Sequence, residues 1–383
     1  MNILLLGEYS RLHNSLKEGL EAMGMTVTIA GFGDDFKNYP VDVLFKNSFN
    51  TGVPLFIKKI LYKLSGIDLT SLSTEAQFNK HKNKLINYDV VQLINENTFN
   101  TVPRTEMRLL NYIFNNNDNV FLLTCGTDYI SVNYAFEDKF QYSIFTPHAQ
   151  QKVSKQNYWH VLKWRTASYA KLHDYIFKYV KGVIASDLDY HLPMLGHKLY
   201  LGLIPNPINS NKLKYISPNP VNKIVIFHGI NEQSYYKKGN DLFNEALKIV
   251  KLKYASKIKI IEARSLPYSE YIESYNSAHI LLDQVYAYDQ GYNALEAMAK
   301  GKVVFTGAEQ EWLDYYNIQE DTIAINALPD AKKIAEKLEW LILNPEKILE
   351  IAQNAREFIE REHHHITIAK QYLKTWKSYS LES

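Results

Sequence analysis

The stretch from Tyr288 to Thr306 constrains the fold more than any other part of the chain. A turn with one glycine, Gly291, opens a short helix that ends at Gly301, and the β-branched strand Val303-Val304-Phe305-Thr306 follows at once. A helix start of this kind presents outward-pointing backbone N–H groups and partial positive charge, which suit a diphosphate. Glu296, about one turn further in, is placed to take both hydroxyls of a ribose. The arrangement reads as a cradle for a nucleotide sugar.

The same alternation runs along the chain. Residues 2–6 form a continuous apolar run ended by Gly7, as in a buried parallel strand. Leu12, Leu16, Leu20 and Met23 recur at helical spacing, Gly24 closes that helix, and Val27-Thr28-Ile29-Ala30 begins a second strand. Further strands are expected at 89–94, 120–124 and 182–186, the last after a helix around Tyr169 to Val180. A second set comprises strands at 223–229, 258–262, 280–283 and 303–306. Its helices are expected at Asp241 to Val250, Tyr268 to Asn276 and Gly291 to Gly301, with a helical tail from Ala331 to Tyr379. Strands alternating with helices predict doubly wound parallel sheets.

At 383 residues the chain exceeds one ordinary core. The texture changes near residue 200: Pro205 and Pro207 punctuate a polar segment running to Pro220, which reads as a connection between domains. The expected division is an N-terminal Rossmann-like domain over 1–198, a C-terminal Rossmann-like domain over 199–360, and a helix over 361–383 crossing back to the first. The fold class is therefore α/β, two Rossmann-like doubly wound domains facing a cleft, with C-terminal helices. Ligands in such sheets bind beyond the carboxyl ends of the strands, so the loops Gly7–Arg11, Cys125–Tyr129, His228–Lys238 and Gln284–Asn293 are the candidates.

Charge and cysteine content narrow the function. A formal net charge of +2 does not supply the basic footprint that nucleic-acid binding needs. Cys125 is the one cysteine, which rules out an intramolecular disulfide and a cysteine-based zinc site. The apolar run at the start is too short for a signal peptide, and no stretch approaches 18 apolar residues, so a cytoplasmic setting is expected.

Three segments together resemble the GT-B glycosyltransferases, in particular the large retaining group (family 4-like, group 1) that uses UDP- or GDP-sugars. Gly291-Tyr292-Asn293-Ala294-Leu295-Glu296-Ala297-Met298-Ala299-Lys300-Gly301 is similar to the end of that family's E-x7-E motif. Phe227-His228-Gly229 followed by Lys237-Lys238-Gly239 is similar to its G-R-x-x-x-x-K-G loop, and Ile204-Pro205-Asn206-Pro207 to the I-P-N-G that opens its second domain. Thr124-Cys125-Gly126-Thr127-Asp128 resembles the H-G-S/T-D turn of the first domain. The chain also departs from the pattern. Tyr288 stands at the family's first glutamate with Asp289 one place later, Ile230 and Asn231 replace the arginine after Gly229, and Cys125 replaces the histidine.

The resemblance implies transfer of a sugar from a nucleotide-sugar donor to a glycan or glycolipid acceptor, with surface polysaccharide or glycoconjugate synthesis as the setting. Lys238, Asp289 and Glu296 are the implied catalytic residues. Gly7, Gly229, Asn231, Lys237, Lys238, Gln284, Tyr288, Gly291, Tyr292, Asn293 and Glu296 are implied to bind the donor, and Cys125, Gly126 and Asp128 to face the acceptor. Several of these have plainer readings: Glu296 as a helix-dipole partner, Asp128 as an N-cap, Gly7 as a strand-ending glycine, and Cys125 as a small packed residue. In the family the departing phosphate helps to deprotonate the incoming hydroxyl, so no dedicated base is assigned. No Asp-x-Asp is expected in a strand-end loop, so no metal or other cofactor is expected. The run His363-His364-His365 reads as helix support, since three adjacent histidines on a helix cannot all reach one ion. Residues 54–67 form a basic amphipathic stretch, with Phe56, Ile57, Ile60, Leu61 and Leu64 on one face and Lys58, Lys59 and Lys63 off it. It is read first as a core-packed helix, with docking on an anionic membrane at the cytoplasmic inner face as the alternative. Two other functions stay open: a nucleotide-sugar epimerase using Asp128, Glu96 and Glu8, and a non-catalytic nucleotide-sugar-binding protein.

Overall fold

The computed structural model describes residues 1–34, 39–49, 52–219, 223–264 and 274–380. The chain divides into two compact units. The first is Met1–Asn133, Val161–Pro207 and His365–Ser383; the second is Tyr134–His160 and Ile208–His364.

The first unit is built on a seven-stranded sheet of β1 (Asn2–Leu6), β2 (Thr26–Gly31), β3 (Val43–Leu44), β4 (Val90–Leu93), β5 (Val120–Thr124), β6 (Gly182–Ala185) and β7 (Tyr200–Leu203), in the order β3-β2-β1-β4-β5-β6-β7. The pairings are parallel. β4, β5 and β6 are buried throughout, which accounts for their near-continuous apolar character. The exception, Gln92 in β4, has a partner: the indole Nε1–H of Trp376 donates to its Oε1 at 3.0 Å. Trp376 lies on the C-terminal helix His365–Ser380, whose inward face also carries Ile368, Ala369, Tyr372 and Leu373. That helix packs on the Leu12–Ala22 helix so closely that a Cβ on Gly19 would stand 2.3 Å from the His365 carbonyl oxygen. The short strands β3 and β7 have no expected counterpart; β7 occupies the start of the segment read as a connection.

The second unit is a five-stranded parallel sheet of β8 (Ile224–Ile230), β9 (Ile258–Arg264), β10 (Ile280–Leu282), β11 (Val303–Thr306) and β12 (Ile325–Asn326), in the order β12-β11-β10-β8-β9. Its helices include Asn240–Tyr254, Tyr292–Ala299, Ala331–Leu343 and Pro345–Glu362. The helix expected from Tyr268 to Asn276 lies largely outside the described residues. Ile208 N–H donates to the His363 carbonyl at 2.7 Å, so the histidine run sits at the break between the last two helices, with His363 and His365 buried.

The first unit lacks one part of the domain expected over 1–198. Residues 134–160 leave the first unit and pack in the second. Gln141 N–H donates to the Tyr288 hydroxyl at 2.8 Å, the Tyr142 hydroxyl donates to Glu309, and Lys152 pairs with Asp241 at 2.6 Å. The Phe140 and Tyr288 rings are 4.8 Å apart. These contacts link positions about 90 to 170 residues apart, beyond the reach of any local pattern.

Candidate functional site

In the second unit the carboxyl ends of β8, β10 and β11 bring Lys238, Asp283, Asn293 and Thr306 together. Asp283 follows β10 directly. Its Oδ1 accepts from Lys238 Nζ at 3.0 Å and from Asn293 Nδ2 at 3.0 Å, and its Oδ2 accepts from Thr306 Oγ1 at 3.4 Å. The Asp283 side chain is 1% exposed and that of Lys238 33%, so a buried anion tethers a half-open cation. Asp283 was not among the expected site residues. Its sequence signal is an acid closing the apolar run Ile280-Leu281-Leu282, where a buried carboxylate has a cost unless donors converge on it.

The Tyr292–Ala299 helix starts beside this cluster. Its buried residues are Tyr292, Ala294, Leu295, Ala297, Met298 and Ala299. Asn293 and Glu296 are left half-exposed, three residues apart and thus on one face. Gly291 caps the helix with an ordinary extended backbone, φ −75° and ψ 166°. A Cβ there would meet Gln284 at 3.7 Å and Asp283 at 4.0 Å, so the protein's own packing does not demand glycine at this position. Gly301 ends the helix with φ +83° and abuts the Ile216 carbonyl.

The remaining expected donor residues divide. Gln284 lies at the helix start and donates through Nε2 to the Asp289 carbonyl at 3.3 Å. Burial, then the neighbouring Lys238, push the Lys237 ammonium down to about 8. Gly229 lies inside β8, paired with Ala263, rather than in a loop. Asn231 is exposed and its Oδ1 accepts from Gln233 N–H at 3.0 Å, capping the turn Glu232–Ser234. Tyr288 and Asp289 are turned inward, in contrast to the expected sugar-facing position. Tyr288 is buried against the 140–142 stretch, and Asp289 is buried with its Oδ1 accepting from Gln290 N–H at 2.6 Å. The reason is packing: the 134–160 excursion covers Tyr288, and the backbone of Asp289 presses on Gly307, where a Cβ would stand 2.6 Å from Asp289 N and O.

In the first unit, Gly7 is buried at the end of β1 and its N–H donates to the Ala30 carbonyl at 2.8 Å. Asp128 caps the Tyr129–Phe136 helix, with Oδ1 accepting from Ser131 N–H at 2.7 Å. Burial, then Glu96, raise its pKa to about 7. Cys125 is half-buried; burial, then Asp187, Glu8 and Asp128, push its thiol far above the ordinary range, opposite to what a nucleophile needs. Gly126 adopts φ +77° with the Tyr9 ring 3.6 Å from its Cβ position, and its carbonyl accepts from the Tyr190 hydroxyl. Contrary to the expectation that no strand-end loop holds one, Asp187-Leu188-Asp189 follows β6 as an Asp-x-Asp; Asp187 caps the Leu188–Met194 helix, accepting from Asp189 N–H at 3.1 Å. Among the described residues no three acids, histidines or cysteines are grouped to hold a metal ion.

The helix Gly52–Ser65 departs from the core-packed expectation. Phe56, Ile57, Ile60, Leu61 and Leu64 are all exposed, Phe56 at 64% and Leu64 at 79%. No helix among the described residues is long and apolar enough to cross a membrane.

Comparison with known proteins bears on the second unit first. Residues 237–374 match the family described as "Glycosyl transferase-like", a span that begins at Lys237 and contains Lys238, Asp283, Asn293 and Glu296. No curated protein matches the chain in sequence. Among solved structures, sucrose-phosphate synthase from Thermosynechococcus elongatus aligns over 100% of both chains at TM-score 0.63 and 15% identity. HepE from Anabaena, in complex with UDP and glucose, aligns over 99% of this chain and 100% of its own at TM-score 0.59 and 15% identity. A putative UDP-N-acetylglucosamine 2-epimerase from Listeria monocytogenes aligns over 100% and 97% at TM-score 0.54 and 10% identity. At these identities the likeness is one of fold. Residues 237–374 are thus similar to a glycosyl transferase-like domain, and the α/β fold is of the GT-B class.

Proposed function

We propose that the protein is a glycosyltransferase that moves a sugar, with retention, from a UDP- or GDP-sugar to a glycan or glycolipid acceptor. The observation that carries this is the Tyr292–Ala299 helix. It is buried except for a face bearing Asn293 and Glu296, and its start lies beside the tethered Lys238. In this reading the backbone N–H groups after Gly291 receive the diphosphate, which explains a glycine that the protein's own packing does not require. Glu296 takes the ribose hydroxyls. Lys238 neutralises the phosphate as it leaves with the nucleoside, the kind of positioned charge that dominates such transfers. The presence of UDP in the HepE complex supports the choice of a nucleoside diphosphate.

A thermal-shift screen of UDP and GDP tests the reading. One of them should stabilise the wild type, and Glu296→Ala should abolish that response. A variant that still responds fully refutes the ribose role, and a wild type indifferent to both refutes the donor site.

The exposed apolar face of the Gly52–Ser65 helix, together with Lys58, Lys59 and Lys63, suits the surface of an anionic bilayer and a lipid-linked acceptor. This would set the protein at the inner face of a membrane. Replacing the three lysines with glutamate should abolish co-sedimentation with phosphatidylglycerol vesicles; unchanged binding sinks the membrane role.

A further inference from the structure

The Tyr292–Ala299 helix is fixed at its carboxyl end by a residue 57 positions further on. A helix leaves its last carbonyls without partners of its own. The turn that follows takes three of them: Lys300 N–H donates to the Glu296 carbonyl at 3.1 Å, Lys302 N–H to Ala297 at 3.1 Å and Gly301 N–H to Met298 at 3.0 Å. The Ala299 carbonyl instead accepts from Arg356 Nη1 at 2.7 Å. Arg356 lies on the Pro345–Glu362 helix, which packs against the shorter one.

The same guanidinium holds a second piece of chain. Nη1 also donates to the Leu213 carbonyl at 2.9 Å and Nη2 to the Ser210 carbonyl at 3.3 Å, while Nε pairs with Glu360 at 2.6 Å. The side chain is 18% exposed, so these bonds are made largely out of water. Only a planar fork with fixed donors can serve three carbonyls and a carboxylate at once; a lysine ammonium cannot. The stretch it grips touches the helix end twice more. Ile216 N–H donates to the Lys300 carbonyl at 3.2 Å, and a Cβ on Gly301 would stand 2.7 Å from the Ile216 carbonyl oxygen and 2.7 Å from the Tyr215 ring.

This stretch begins at Ile208, where the chain re-enters the second unit, and the unit's last residue is His364. The two points are joined: Ile208 N–H donates to the His363 carbonyl at 2.7 Å, and Ile208 forms a parallel bridge with His364. Arg356 therefore ties the helix end to the paired entry and exit of the chain. A cation at a helix carboxyl end also complements the dipole whose positive end is the helix start. The helix has eight residues, roughly 12 Å of rigid rod, so a displacement at one end is carried to the other. Displacements matter there, since a shift of about 1 Å in a reacting group can cost about a hundredfold in rate.

We propose that Arg356 is a positioning residue that sets the Tyr292–Ala299 helix, and with it the N–H groups at its start, against the 208–216 stretch. It contacts neither nucleotide nor sugar. The role rests on the reading of that helix as the diphosphate site. Because coupling in binding is reciprocal, a nucleotide held at the helix start should in turn tighten 208–216.

The test uses the intact protein with UDP and GDP as probes, by titration calorimetry well below the unfolding transition and by amide hydrogen exchange. The nucleotide that binds the wild type should slow exchange at the helix start and also at Leu213 and Ile216. Arg356→Met should bind it about fivefold or more weakly, and the slowing at Leu213 and Ile216 should vanish while that at the helix start persists. Arg356→Lys keeps the charge without the fork and should fall between the two; it decides the matter if Arg356→Met does not fold. Leu338→Ala, which removes a buried side chain from the Ala331–Leu343 helix of the same unit, should lower Tm yet keep the affinity and the exchange pattern. Wild-type affinity and exchange in both Arg356 variants, or an equal loss in Leu338→Ala, overturns the proposal while leaving the donor site in place. A wild type that binds neither nucleotide removes the donor reading and this role with it.

Discussion

Gly239→Ala is the substitution whose consequence the structure specifies most closely. Gly239 follows Lys238 and caps the Asn240–Tyr254 helix with φ +72°, a left-handed backbone that costs an L-residue about 1–2 kcal/mol. A Cβ there would also stand 2.6 Å from both Cβ and Cγ2 of Val285, on the loop that follows β10. Overpacking of that kind costs roughly 1–3 kcal/mol, so the total expected loss is about 2–5 kcal/mol. Gly24→Ala is the matched control: its φ is +80° but no heavy atom lies within 4 Å of the new Cβ, so only the backbone cost applies. Thermal and denaturant unfolding should show Gly239→Ala several degrees below Gly24→Ala, at about 2–4 °C per kcal/mol. Val285→Ala removes Cγ2 but keeps the Cβ that is equally close, so it relieves part of the collision and the double variant should lose less than the sum of the two singles. Because the Lys238–Gly239 turn carries the cation, the thermal shift with UDP or GDP should disappear too. Equal losses in Gly239→Ala and Gly24→Ala, or strict additivity with Val285→Ala, would falsify the close-approach argument.

Lys238→Met leaves Asp283 buried with two of its three donors and should destabilise the fold by about 1–3 kcal/mol, discounted because Lys238 is a third exposed. Adding Asp283→Asn should restore part of that loss, whereas additive unfolding free energies would show that the pair is uncoupled. Glu8 is raised from 4.5 to about 7 chiefly by burial, so the folded state keeps a proton that the unfolded chain releases. Its contribution is fully present below pH 4.5 and is lost as pH rises through 7, at up to about 1.4 kcal/mol per pH unit. Relative to Glu8→Gln, the wild type should therefore lose stability between pH 4.5 and 7; a constant difference across that range rules the assignment out.

Strands in both units were legible because their signals are local. Residues 2–6, 120–124 and 303–306 are apolar runs ended by turn residues, and each is a strand at those bounds. The two-residue strands β3 and β12 were not legible, since so short a stretch has no periodicity to read. Among site residues, Glu296 and Asn293 fall on the open face that the helical spacing implies, while Asp283 was missed because a single acid at a strand end carries no pattern of its own.

The sequence by itself determined the α/β class, the two sheets and the glycine-opened helix, because each follows from the spacing of apolar residues over one or two elements. Tertiary structure alone decided that 134–160 packs in the second unit, that Tyr288 and Asp289 point inward, and that the Gly52–Ser65 helix leaves its apolar face bare. These outcomes depend on what a side chain meets from a distant part of the chain. Hydrophobic periodicity marks which face of an element seeks burial, but the neighbour that covers it, or its absence, is set only when the whole chain has packed.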